Sequence, residues 1–259
     1  MRRDPQGPNR RRRDVVRVLG TVAAANMLGC GSDSPTTPSA TGTPSPSSTA
    51  TPSGGTGTCV VRPQQTEGPY FVDERLNRSD IRSDPGSGAV RPGIPLRLGF
   101  RLSRLSGGAC SALASAMVDV WQCDALGVYS DASDMGFNTR GQQFLRGFQL
   151  TDASGLAQFT TIYPGWYSGR AVHIHFKLRL FAGATRTYEF TSQFFFDESL
   201  TTSVHAASPY STRGTRNTLN STDGIYNGLS TAQKSALTLS TSKTATGYAG
   251  IINLTVNIG

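Results

Sequence analysis

The chain has 259 residues, 37% of them hydrophobic and 16% charged, with a net charge of +8 and a mean hydropathy of −0.28. Seven arginines against two aspartates in the first 30 residues supply five of those eight charges. The remainder is mildly basic, with no basic stripe interleaved with aromatics, which argues against a nucleic-acid partner.

The N-terminal run RRRRDVVRVLG, with Arg12-Arg13 ahead of Val15, Val16 and Arg17, resembles a bacterial twin-arginine export signal. The apolar stretch after it, Val18 to Leu28, is too short to span a bilayer. It ends in MLGC, similar to a lipoprotein cleavage box that would leave Cys30 lipidated. Gly31 to Thr58 is Ser, Thr, Pro and Gly with almost nothing apolar. Such a segment cannot bury enough surface to offset its ordering entropy, and it reads as a flexible tether. The expected plan is therefore an export signal over 1–30, a linker over 31–58 and one folded domain over 59–259. An exported protein is expected, secreted or held at the cell surface, with membrane contact only through a lipid on Cys30.

Three cysteines remain in the domain: Cys59, Cys110 and Cys123. An exported protein permits disulfides. The segment SAMVDVWQ between Cys110 and Cys123 alternates like a strand, and an extended run of that length separates its ends by roughly 20 Å. A bridge between those two is awkward, so Cys59 is expected to pair with one of them.

Period-2 alternation dominates the domain. IPLRLGFRL places Ile94, Leu96, Leu98, Phe100 and Leu102 on one face, and MVDVWQ sets Val118 and Val120 opposite Asp119 and Trp121. TYEFTSQFFF and GIINLTVNI alternate similarly, and LSTAQKSAL suits one or two helical turns. Many short strands broken by Gly, Pro, Asn and Asp, without intervening helices, predict an all-β fold, an antiparallel β-sandwich with long loops.

The stretch YPGWYSGRAVHIHFK, Tyr163 to Lys177, concentrates the chemistry. From Ala171 the apolar Val172, Ile174, Phe176, Leu178 and Leu180 share one face of a strand, and His173, His175, Lys177 and Arg179 share the other. Two imidazoles two residues apart on a strand point the same way and can share a metal ion; the plainer alternative is a pair of histidines on a solvated face. No Cys₂His₂ spacing or HExxH is present. The nearby oxygen donors are the phenols Tyr163 and Tyr167. A phenol of pKa about 10 binds as phenolate at neutral pH only to a strongly charged cation. Tyrosine plus histidine leans toward ferric iron, but the chain has eight tyrosines and spacing alone does not select the ligands.

TEGPYF (66–71), VDVWQCDALGVYS (118–130), RGFQLTDASGLAQFTTIYPGWYSGRAVHIHFK (146–177) and SQFFF (192–196) occur in order. Together they resemble the intradiol ring-cleavage dioxygenases, closest to exported single-chain relatives of the protocatechuate and catechol enzymes. The resemblance implies non-haem Fe(III) held by Tyr129, Tyr167, His173 and His175, with Tyr163 left as packing. It implies a catechol-type aromatic diol and O₂ as reactants, and Tyr167 accepting a proton as the diol binds. Arg170 and Gln193 would act beside the reacting ring, and Gly68, Pro69, Tyr70 and Trp166 would line the substrate site. The segment between Tyr167 and Arg170 is only Ser168 and Gly169, shorter than in the protocatechuate enzymes. Trp121 is expected in the core, His205 in a loop without a catalytic role, and the bases of RGTRN (213–217) in solvent. The alternative from another class is a non-catalytic β-sandwich binding module on a lipoprotein stalk. The ring of the substrate and the oligomeric state are not legible.

Overall fold

The computed structural model describes Cys59 and residues 61–258; the expected export signal and tether lie outside the described residues. Two sheets face each other. The first contains β1 (Pro95–Ser106), β2 (Ala109–Ala112), β7 (Leu156–Ile162), β10 (Thr241–Lys243) and β11 (Tyr248–Asn257). The second runs in the order β6 (Arg146–Leu150), β3 (Met117–Trp121), β8 (His173–Ala182) and β9 (Thr185–Phe195). A small hairpin, β4 (Ser133–Asp134) and β5 (Phe137–Asn138), lies between β3 and β6 in the chain.

The predicted alternation builds the core. Leu96, Leu98, Phe100 and Leu102 of β1 are buried with Ile252, Leu254 and Val256 of β11, against Val118, Val120, Ile174, Phe176 and Leu178 of the other sheet. Phe100 meets Phe159, Phe176 and Phe194 at ring separations of 5.9, 5.3 and 6.1 Å. Every pairing among the named strands is antiparallel except β1 with β11, which run parallel from Leu96↔Tyr248 to Leu105↔Asn257. A parallel pair needs a long crossover, supplied here by the chain between the two strands, and alternation carries no information about strand direction.

The polar face of β8 is not solvated. His173, His175, Lys177 and Arg179 are all buried, beneath a strap of residues 62–76. Gln65 N–H donates to Thr191 O at 2.9 Å, and Ser192 Oγ donates to Pro63 O at 2.9 Å. Lys177 is held between Glu67 and Glu189 with Phe71 beneath its ammonium. Arg179 forks between Asp73 at 2.8 Å and Asp119 at 2.7 Å. Pairing with carboxylates is what permits these charges inside. The strap begins at a disulfide between Cys59 and Cys110, whose Cα atoms are 6.0 Å apart, and Cys123 is free and buried.

After β9 the chain forms α1 (Glu198–His205), capped by Asp197, then the one-turn α2 (Gly224–Asn227) and α3 (Thr231–Leu237). The predicted turns of LSTAQKSAL are α3, entered through a capping box of Ser230 and Gln233. His205 ends α1 rather than lying in a loop; its Nε2 donates to Pro164 O at 3.0 Å and its ring stacks on Tyr210. Arg216 corrects the expectation of solvated bases, since its side chain is 7% exposed and bonds Glu198 at 2.9 Å. Among the described residues no helix is long and apolar enough to cross a membrane.

Candidate metal centre and active site

Strand register aligns the first part of the site. On the outer face of the second sheet, Trp121, His175 and Gln193 occupy neighbouring positions on β3, β8 and β9, and His173 lies opposite Phe195. The His173 and His175 rings are 2% and 1% exposed, with their Nε2 atoms 3.0 Å apart. His173 Nδ1 lies 2.6 Å from Ala171 O. A carbonyl only accepts, so Nδ1 carries the proton and Nε2 of the neutral ring presents a lone pair. Burial pushes both imidazoles toward their neutral forms, His173 down to about 3. Trp121 is buried as expected, but in a separate cluster with Cys123 and Tyr129 on this outer face, where it stacks flat on His175 at 5.0 Å.

Two loops deliver the phenols. The turn after β3 is organised by Asp124, whose Oδ1 accepts from Leu126 N at 2.9 Å and Val128 N at 3.0 Å. The PGWY segment lies directly on it. A Cβ on Gly165 would stand 2.4 Å from Ala125 O, and one on Gly127, at φ +81°, would stand 2.1 Å from Trp166 O. Only glycine allows the two backbones to touch, and their contact sets Tyr129 and Tyr167 edge-to-face at 5.7 Å. Tyr167 Oη reaches 3.3 Å from His173 Nε2. Tyr129 is buried, and its Oη has no hydrogen-bond partner. Burial drives both phenols toward protonation, Tyr129 strongly and Tyr167 up to about 12, the latter partly countered by the Arg170 cation.

This donor chemistry fits a highly charged cation. The Nε2 atoms of two imidazoles face each other, a phenol abuts them, and a second buried phenol oxygen is orphaned beside it, an arrangement a shared metal would resolve. Among the described residues no group of three His, Cys, Asp or Glu is placed to hold a metal, and here half the donors are tyrosines.

Arg170 enters from the loop before β8. Its Nε donates to Asp223 Oδ2 at 2.9 Å and its Nη2 donates to Gln193 Oε1 at 2.7 Å. Gln193 Nε2 is buried without a partner. Of the four residues expected to line a substrate site, Gly68, at φ +72°, lies directly over His175, where an added Cβ would be 3.3 Å from Cε1. Tyr70 stacks on Tyr129 at 4.4 Å and donates its hydroxyl to Asp134. Pro69 and Tyr70 line an open pocket of about 430 Å³ with Asp131, Ala132, Ser133, Asp134 and Arg140. Trp166 differs: its ring packs toward the inter-sheet core and under Arg213, 5.0 Å away, not into the cluster of Tyr70, Trp121, Tyr129 and Tyr167. Tyr163 is packing, its hydroxyl 2.7 Å from Thr201.

Sequence reasoning missed Asp223. The TDG triplet before a short helical turn is an N-cap signal, but nothing local reports that the cap is completely buried against an arginine 53 residues earlier.

A sandwich carrying this cluster is the architecture of a dioxygenase. The family model described as Dioxygenase matches residues 66–222. The chain belongs to the intradiol ring-cleavage dioxygenase family. It is similar to the intradiol ring-cleavage dioxygenase from Tetranychus urticae, with 30% identity over 77% of this chain and 95% of that one and a TM-score of 0.64. It also resembles the dioxygenase domain of a dioxygenase carbohydrate-binding protein fusion from Streptomyces sp. SirexAA-E, with 26% identity over 77% and 100% of the two chains and a TM-score of 0.52. The fold is shared with 3-chlorocatechol 1,2-dioxygenase from Rhodococcus opacus 1CP, at 20% identity, coverage of 75% and 71% and a TM-score of 0.50. A search of curated proteins found no match.

Proposed function

We propose that the protein is a non-haem Fe(III) enzyme that cleaves catechol-type aromatic diols between the two hydroxyl-bearing carbons. The product would be a muconate-type diacid containing both atoms of O₂. The observation that carries this reading is the convergence of Tyr167 Oη, His173 Nε2 and His175 Nε2, each within 3.3 Å of a neighbour, beside the partnerless Tyr129 Oη. Those four side chains are the ferric ligands in this reading. When bound, the iron supplies Lewis acidity and a template for both diol oxygens.

The chain's own residues do the rest. Tyr167 Oη would take up a proton from the incoming diol, because its buried surroundings favour the phenol. Arg170, held in place on the edge of the cluster, stabilises the negative charge that grows on the ring as it becomes nucleophilic. Gln193 Nε2 is a ready donor for an oxygen of the reacting complex. Gly68 and Tyr70 on the strap form a wall that excludes water from one side of the ring. The Cys59–Cys110 disulfide fits the exported location expected from the N-terminus.

Oxygen uptake with a panel of catechols, followed by identification of the opened product, tests this. A muconate-type diacid is expected; a ring opened beside the hydroxyls, or none opened by iron-loaded protein, contradicts it.

A further inference from the structure

We infer that Asp223 is the positioning residue for the active-site arginine, and that cleavage depends on it although it touches neither substrate nor metal. This rests on the proposed ring-cleavage reaction. Asp223 is 0% exposed, and its two oxygens are divided between two tasks. Oδ1 accepts from the backbone N–H groups of Ile225 and Tyr226, both at 2.8 Å, which fixes the carboxylate to the first turn of α2. Oδ2 accepts from Arg170 Nε at 2.9 Å and from Ala171 N–H at 2.7 Å. One oxygen thus holds the arginine side chain and the backbone of the very next residue, two positions before His173.

The guanidinium is held at two points. Nε is on Asp223 and Nη2 is on Gln193, a residue at the same cross-strand position as His175. A planar fork held at two of its nitrogens cannot rotate, so its remaining N–H groups keep one direction. A cation aimed in advance stabilises developing charge without reorganising at the moment of reaction. Burial alone would push the Asp223 carboxyl up, but the Tyr226 and Ala171 N–H groups and the Arg170 guanidinium outweigh it. The residue therefore stays ionised, as a counter-charge to Arg170.

Asp223→Asn separates positioning from structure. Asn caps a helix as well as Asp, so its carbonyl can keep the α2 contacts while the amide nitrogen takes the place of Oδ2 and accepts from neither Arg170 nor the Ala171 N–H. The expected result is a kcat lower by about tenfold to a hundredfold, with KM for catechol changed less than threefold. Iron content and the tyrosinate–iron absorption band stay at wild-type values. On an Arg170→Gln background, Asp223→Asn should lower kcat no further. In iron-free protein labelled with nitrogen-15, the Arg170 Nε–H signal, assigned by its loss in Arg170→Gln, should exchange faster in Asp223→Asn. Arg170→Lys reads the same contact should Asp223→Asn fail to fold: it keeps the charge, loses the fork and should show the same drop in kcat. Wild-type kcat in either variant, additive losses in the double variant, or an unchanged Arg170 signal overturns the inference while leaving ring cleavage intact. A wild-type protein that opens no catechol overturns both, and is recognised in the wild-type arm alone.

Discussion

At the scale of single residues, two glycines do as much to build the site as the side chains that line it. Gly165 and Gly127 let the PGWY and DALGVY backbones meet, and that contact sets where Tyr167 and Tyr129 point. Gly165→Ala inserts a Cβ 2.4 Å from Ala125 O, so the loop must move and carry Tyr167 with it. The far-ultraviolet circular dichroism of that variant should be unchanged, because the sheets do not depend on the contact. Its ring-cleavage rate should fall on the order of a hundredfold, as an ångström of misplacement does elsewhere. Wild-type turnover would show that the loop contact does not set the tyrosines. The histidine pair was legible in the sequence because HIH on an alternating strand forces both rings onto one face. Tyr129, Tyr167 and Arg170 were reached through a family resemblance because loops deliver them, and Gln193 because its alignment with His175 depends on a strand register that local sequence does not report. Trp121 lies on the face that alternation gives it, beside Asp119, but alternation does not report that this polar face is covered.

At the scale of elements, the strap over residues 62–76 converts the outer face of the second sheet from a solvated surface into an interior. It contributes Gly68 and Tyr70 to the site, and its start is fixed by Cys59–Cys110, which closes a separation of 51 residues. A loop of that size corresponds to about 4 kcal/mol of chain entropy removed from the unfolded state. Replacing both cysteines by serine should therefore lower the unfolding free energy in urea by about 2–4 kcal/mol; an unchanged midpoint would mean that the ion pairs and hydrogen bonds of the strap hold it without the disulfide. The pairing was half legible, since sequence distance removed Cys110–Cys123 but could not choose between the two partners of Cys59. The parallel pairing of β1 with β11 was not legible at all, because both directions give the same alternation.

At the scale of the whole molecule, buried titratable groups tie stability to pH. Burial holds His173, His175 and His205 below the ordinary imidazole range, to about 3 for His173 and about 4 for His205. These rings stay neutral in the fold and become protonated on unfolding below about pH 6.5, so the stability they give is present above that value and lost as pH falls. Asp119, lifted by burial to about 6 despite Arg179, and Asp124, also lifted by burial, work in the opposite sense. The three imidazoles outnumber the two carboxyls, so stability is expected to fall as the pH drops from about 6 to 4. Below about pH 4 the decline steepens. Asp84, held down chiefly by the Gln143 N–H, and Asp223 give stability only while ionised, and both lose it as they protonate. Urea titrations at pH 7, 5 and 3.5 should show this order of stability; greater stability at pH 5 than at pH 7 would mean that the carboxyls outweigh the rings.

The molecule as a whole is a sandwich, and in the proposed reading the four side chains gathered under its strap hold one ferric ion. The visible absorption spectrum of the purified, iron-loaded protein tests that idea most directly. Phenolate oxygens from Tyr129 and Tyr167 on ferric iron should give a wine-red band with one iron per chain, reduced and shifted in Tyr129→Phe. Protein that takes up no iron, or binds it without colour, would contradict the account.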